Sequence, residues 1–151
     1  MSATARQMLK EKHTAALISI APDASVFEAL QLLAQRDIGA VAVMDNGRLV
    51  GIFSERDYAR RIVLQGRTSS NTLVSEIMTA RVHVISPDRT AEQCMALMTA
   101  ERIRHLPVVE NEQVIGMISI GDVVHATIAD QQIAIDSLSK YVMGCSQLGC
   151  Q

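Results

Sequence analysis

GIFSERD at residues 51–57 returns as GMISIGD at 116–122, and this recurrence decides how the rest of the chain is read. Both stretches run Gly-φ-φ-Ser-x-x-Asp, with φ apolar. Their displacement, 65 residues, superimposes the two halves without a gap. Ile20 falls on Ile85, Pro22 on Pro87, Asp23 on Asp88, Leu32 on Leu97, Ile38 on Ile103, Val43 on Val108 and Asn46 on Asn111. Apolar positions between these anchors agree in type: Val41 with Leu106, Val50 with Ile115, Ile52 with Met117. A register kept over this span means one structural unit written twice.

Each unit reads as β-α-β-β-α. LISI at 17–20 and VHVI at 82–85 are short strands, each followed by a Pro-Asp turn. The segments after the turns, SVFEALQLLAQRD and TAEQCMALMTAER, place apolar residues such as Val26, Ala29, Leu30 and Leu33 on one helical face. Ser25-x-x-Glu28 and Thr90-x-x-Gln93 are capping boxes for these helices. Two strands follow, AVAVMD and RLVGIF, joined by Asn46-Gly47, a strong hairpin signal. The second unit has LPVVE and QVIGMI around the weaker turn Asn111-Glu112. SERDYARRIVLQ and SIGDVVHATIAD are the closing helices, with Gly66 suited to end the first.

The strands are almost wholly apolar, which predicts cover on both faces. One such unit is too small to stand alone, so the two are expected to pack sheet to sheet about a pseudo-twofold axis, an α/β (α+β) fold. The expected divisions are an N-terminal helix and linker over 1–16, one repeat over 17–66, a linker over 67–80, the second repeat over 81–130, and a final helix with a loose tail over 131–151. Thr4–Lys12 reads as a helix belonging to the first unit, Val74–Thr79 as its counterpart in the linker, and Gln131–Met143 as a separate last helix.

Composition narrows the function. The net charge is −2 and the only aromatic residues are Phe27, Phe53, Tyr58 and Tyr141. That speaks against a nucleic-acid partner, which needs a basic surface or stacking platforms. No apolar run has the length of a membrane span, and the charged N-terminal stretch has no signal-like apolar segment, so a cytoplasmic location is expected. Cys94 falls on an apolar helical face, and Cys145 and Cys150 fall in the tail. Neither these nor the scattered His13, His83, His105 and His125 make a metal-ligand pattern. No G-x-S-x-G, P-loop or G-x-G-x-x-G is present, and the chain is read as no enzyme.

The doubled Gly-φ-φ-Ser-x-x-Asp, the Pro-Asp turns, EIMT at 76–79 and RHLPVVE at 104–110 resemble the cystathionine-β-synthase-type (CBS) domain, over roughly residues 4–142. The resemblance implies a disc-shaped pair of repeats, often dimeric, binding an adenosine ligand such as AMP, ADP, ATP, NAD or S-adenosylmethionine in clefts between the repeats. It implies that the Asp of the motif holds the ribose and that apolar residues enclose adenine. One cleft would carry Ser54, Arg56 and Asp57, completed by Ile103, Arg104, His105 and the Val84–Ile85 backbone. The other would carry Ser119 and Asp122, completed by Ile38, Gly39, Ala40 and the Ser19–Ile20 backbone.

The Ser-x-x-Asp spacing also has a purely structural reading. Both pairs follow a strand and open a helix, the place of a capping box. The two readings are compatible, because a helix N-terminus with a fixed carboxylate can also face a ligand. The clefts are expected to be unequal. Arg56 and Arg104 are matched in the other cleft by Gly121 and Gly39, and Arg60 and Arg61 follow on the helix. The Asp57 cleft should therefore prefer the more phosphorylated ligand. Arg104 has an alternative partner in Glu101, and Arg60 and Arg61 an alternative role as solvated positions. The sequence thus points to a sensor module with a small-molecule ligand and an unidentified protein partner. A homodimer is expected through the apolar faces of SVFEALQLLA and VVHATIAD. The competing reading is an interaction module without a ligand.

Overall fold

A computed structural model describes residues 2–12 and 17–148, with the side chains of 144–148 left aside. His13 and Cys150 lie outside the described residues, and of Cys145 only its place in a helix is described.

Helix α1 (Ala5–Glu11) precedes strand β1 (Ser19–Ile20), helix α2 (Val26–Arg36) and the hairpin β2 (Ala40–Asp45) and β3 (Arg48–Ser54). Helix α3 (Glu55–Tyr58) continues as a π-helical turn over Ala59–Val63, and a short helix α4 (Val74–Ile77) lies in the linker. Helix α5 (Ala91–Glu101), strands β4 (His105–Glu110) and β5 (Gln113–Ser119) and helix α6 (Ile120–Leu148) complete the order.

The local signals act where the sequence puts them. Ser25 and Thr90 cap α2 and α5 in reciprocal boxes with Glu28 and Gln93. Both helices end in a left-handed residue, Asp37 and Arg102. Asn46 and Gly47 take positive φ values of 49° and 80° at the β2–β3 turn; Asn111 and Glu112 do the same at 50° and 64°. Two successive left-handed residues match the strand twist of a tight hairpin. Gly66, at φ 67°, closes the segment after α3, as its sequence position suggests.

Three expectations need correction. VHVI forms no strand: Ile85 alone makes a parallel bridge, to Val108, so the second sheet has two strands where the first has three. The closing helix of the second repeat and the expected last helix are one continuous element, α6. The third correction concerns α1. It does not serve the repeat it precedes. Its Ala5 and Met8 are buried among Cys94, Met98, Leu106, Val108, Ile118 and Val123 of the second repeat. Conversely, Val74 and Ile77 of α4 are buried among Val26, Leu33, Val41, Val43, Phe53 and Ile62 of the first. Each leader helix thus crosses to the opposite repeat.

Backbone hydrogen bonds record the pseudo-twofold relation. Val26 N donates to Thr72 O and Ala91 N to Ala3 O, both at 2.8 Å. Ala5 N donates to Arg89 O at 2.7 Å and its counterpart Val74 N to Ala24 O at 2.8 Å. The crossing is tight. A Cβ on Gly51 would lie 2.6 Å from Met78 Sδ and 2.9 Å from Thr79 O, and one on Gly116 would lie 2.6 Å from the Leu9 side chain. At Gly51 only glycine admits the leader so close to the sheet, whereas at Gly116 the flexible end of Leu9 could give way.

Candidate functional site: two clefts between the repeats

Ser54 and Ser119 end β3 and β5, and the chain turns there into α3 and α6. Ser54 Oγ accepts from Asp57 N at 3.2 Å, and Asp57 Oδ2 accepts from Ser54 N at 3.0 Å. In the second repeat Ser119 Oγ accepts from Asp122 N at 3.2 Å, and Asp122 Oδ2 accepts from Ser119 N at 2.8 Å. The capping geometry is therefore realised in both motifs, and it fixes both carboxylates at the mouths of clefts between the repeats. The cleft floors correspond too: Glu55 N donates to Gly39 O at 3.1 Å and Ile120 N to Arg104 O at 2.8 Å.

The first cleft encloses about 980 Å3 and gathers Ser54, Arg56 and Asp57 with Ile103, Arg104 and His105. The second encloses about 650 Å3 and gathers Ser119 and Asp122 with Ile38, Gly39 and Ala40. Two residues of the sequence reading fall elsewhere. Ile20 pairs with Val43 in the sheet, and the backbone of Ile85 is spent on Pro107 O and Val109 N. The chain that lines the clefts lies just upstream in both repeats, at Leu17 and Ile18 and at Val82 and His83. Strand pairing consumes the polar groups of Ile20 and Ile85, and the preceding, unpaired backbone borders the opening.

The two carboxylates live in different surroundings. Asp57 is only 8% exposed, and its partners are neutral: Ser54 N, Ser54 Oγ at 3.1 Å, and Thr79 Oγ1, which donates to Oδ1 at 3.2 Å. Asp122 is held by a cation. Lys12 Nζ lies 2.9 Å from Asp122 Oδ2 and donates to Met117 O at 2.8 Å. Arg6 and Lys10 line the same cleft. These three basic residues escape a reading in which α1 stays with the first repeat, and the second cleft is not poor in cations.

The arginines of the first cleft divide by what they already hold. Arg61 donates to Ile77 O at 2.8 Å and Met78 O at 3.0 Å, so it fastens α4. Arg56 donates across the repeats to Arg102 O at 2.9 Å. Arg60, Arg81 and Arg104 also line the cleft and make no ion pair among the described residues. Glu101, the alternative partner of Arg104, lies 3.4 Å from His83 Nε2 instead.

His105 and Gly39 border both clefts. A Cβ on Gly39 would sit 3.5 Å from the His105 ring, so the imidazole forms the partition where the clefts meet. Burial pushes the His105 imidazole below its ordinary value. Lys12 and Arg104 push the same way, and Asp122 opposes them. Among the described residues no group of His, Cys, Asp and Glu has the arrangement of a metal site. No helix among them is long and apolar enough to cross a membrane.

Residues 6–64 and 74–129 match the family model of the CBS domain, most of the chain. The chain belongs to the CBS-domain family. It is a CBS pair, a regulatory module, and its relatives bear the same architecture. A CBS-domain-containing protein of Arabidopsis thaliana mitochondria, CBSX3, is 39% identical over 81% of this chain and 62% of its own length. The chain therefore spans less than two thirds of that relative. The solved CBS domain NE2398 is 44% identical, covers 85% of this chain and 99% of its own, and superimposes with a TM-score of 0.80. The CBS pair of protein MJ0100, solved with 5′-methylthioadenosine and S-adenosyl-L-methionine, shares the fold at 23% identity. Its TM-score is 0.76, over 86% of this chain and 99% of that one.

Proposed function

We propose that this CBS pair is a non-catalytic sensor of an adenosine-containing nucleotide, bound first in the Asp57 cleft. The observation that carries the reading is a buried carboxylate with neutral, exchangeable partners beside three arginines that hold no carboxylate. A ribose diol can displace the Thr79 hydroxyl from Asp57 at little cost, since one neutral hydrogen bond replaces another. Phosphates extending from the ribose meet Arg60, Arg81 and Arg104, whose planar donors suit paired phosphate oxygens. Ile103 supplies an apolar surface for adenine. In the Asp122 cleft a diol competes with the Lys12 ammonium, a charged partner that is harder to replace.

The ligands of MJ0100 support the adenosine part of this reading, because both carry that moiety. AMP, ADP, ATP and NAD share it and add phosphates. The absence of a reaction is inferred from placement: Asp57 and Asp122 face separate clefts and do not converge on one substrate bond. A nucleotide touching both repeats biases how they pack, and so the surface offered to a protein partner, to the extent that it binds the two arrangements unequally.

Isothermal titration with AMP, ADP, ATP, NAD and S-adenosylmethionine tests the proposal. The expected result is binding that strengthens with phosphate number, weakens with salt, and is lost first in Asp57→Ala. Absence of binding by all five, or an Asp57→Ala protein that binds as well as the parent, overturns it.

A further inference from the structure

The two leader segments reach the motif carboxylates in different ways. Leu9 faces Gly116 as Met78 faces Gly51, and Ala5 is bonded as Val74 is, so α1 and α4 share one register. In that register Lys10 stands at the place of Thr79, and Lys12 at the place of Arg81. Helix α4 ends at Ile77, and the chain beyond it pairs with β3. Thr79 N donates to Ile52 O at 2.9 Å, and Thr79 Oγ1 donates to Asp57. Helix α1 runs on to Glu11, so Lys10 is still helical. In this repeat the side chain of Lys12 takes both duties. Its Nζ donates at 2.8 Å to the carbonyl of Met117, the equivalent of Ile52. The same Nζ lies 2.9 Å from Oδ2 of Asp122, the equivalent of Asp57. One ammonium stands where the first cleft has an amide and a hydroxyl.

The exchange puts a charge in place of neutral donors. At Asp57 a ribose hydroxyl displaces one neutral bond, that of Thr79. At Asp122 it must break an ion pair that is also a charge-assisted hydrogen bond, the stronger kind. The pair is sheltered as well. Its side chains are 27% and 21% exposed, against 35–49% for the other ion pairs among the described residues. Freely solvated pairs contribute little, and this one is not of that kind. Nor can the lysine follow a ligand outward with its helix. Ala5 and Met8 are buried in the second core, and Ala5 N and Arg6 N are bonded to Arg89 O and Pro87 O at 2.7 and 2.9 Å. Only the Lys12 side chain itself can swing away.

We propose that Lys12 is a built-in occupant of the second cleft, its ammonium standing on Asp122 where a ribose diol would sit and so confining a nucleoside to the Asp57 cleft. The proposal rests on the reading that the motif carboxylate takes the diol. It makes two clefts with one motif into a sensor with a single nucleoside site.

Amide NMR of the isotope-labelled full chain, titrated with adenosine as a neutral probe, reads the clefts separately. Arg56 and Asp57 report the first, Gly121 and Asp122 the second. In the parent the first cleft should saturate well before the second responds. Lys12→Gln keeps a donor and removes the charge, and should strengthen adenosine binding at Asp122 about tenfold or more. Lys12→Arg keeps the cation and should not. 2′,3′-Dideoxyadenosine, which lacks the diol, should gain nothing from Lys12→Gln. The inference is overturned if the parent fills both clefts together, or if Lys12→Gln leaves the Asp122 cleft as weak as before. It is equally overturned if Lys12→Arg opens that cleft as fully as Lys12→Gln, or if the dideoxynucleoside gains as much as adenosine. The sensor reading fails by a different sign: no response at Asp57 in any of these proteins refutes it, while the response of Lys12→Gln at Asp122 still decides the role of the lysine.

Discussion

At the scale of single residues, the same carboxylate position has been given two different neighbours. Asp57 accepts from two hydroxyls and an amide; Asp122 accepts from an amide and a lysine. Hydrogen bonds to a charged acceptor contribute about 1.5–3 kcal/mol each, so removing Asp57 should weaken nucleotide binding by about 3 kcal/mol, roughly a hundredfold. Asp122→Ala should weaken it far less, and titration of both variants side by side reads the difference. His105 adds a pH dependence. Its imidazole is held below its ordinary value, so as pH falls the unfolded chain takes up the proton first. The stability present above the ordinary imidazole value is then lost as pH falls through that value toward the depressed one. Chemical denaturation at stepped pH should show a loss on acidification that His105→Gln reduces; an unchanged slope in the variant would remove His105 from the account. The Ser-x-x-Asp motifs with Arg56, Arg60, Arg61 and Arg104 were named from the sequence, since each lies near a strand end; Arg81, where the linker meets the second repeat, was missed. Lys12 was missed too, because nothing in its neighbourhood says which repeat it faces.

Among the elements, the strands, hairpins and paired helices follow from periodicity, caps and turn residues. Besides the fusion of the last two expected helices into α6, two features do not. VHVI has the composition of a strand, but strand formation needs a partner with matching register, and only Ile85 finds one, in Val108. The crossing of α1 and α4 is invisible for a related reason: helical spacing shows that Ala5 and Met8 share an apolar face, but not which sheet that face covers. The glycines were the available clue. Gly51 and Gly116 occupy equivalent places in strands, where glycine is otherwise unfavourable, and each marks the approach of a leader segment. Their substitution should differ in cost. Gly51→Ala drives a methyl against the Thr79 carbonyl, which is backbone, and should cost about 1–3 kcal/mol. Gly116→Ala meets only the flexible end of Leu9 and should cost less. Thermal denaturation of the two variants checks the order, and equal losses would contradict it.

Across the whole molecule, the crossed leaders make each repeat depend on a segment attached to the other. Met8 is 2% exposed in the second core, and Met8→Ala should cost about 2–5 kcal/mol. The effect should appear first in the second repeat: amide exchange at Val108 and Ile118 should quicken before that at Val43 and Phe53. Faster exchange confined to the first repeat would mean that α1 does not cover the second core. Because the exchange of helices is mutual, the parent should unfold in one step, with sheet and helix signals lost together.

The crossing also sets an order of events on the ribosome. Synthesis delivers α1 before the first repeat, yet the sheet it covers, β4 with β5, emerges only after that repeat is complete. Until β4 and β5 emerge, Ala5, Met8 and Leu9 ride on the nascent chain with their apolar side bare. The first repeat, by contrast, can close as soon as α4 clears the exit tunnel. Helix α1 therefore waits for the second repeat, an interval in which a chaperone has something to hold.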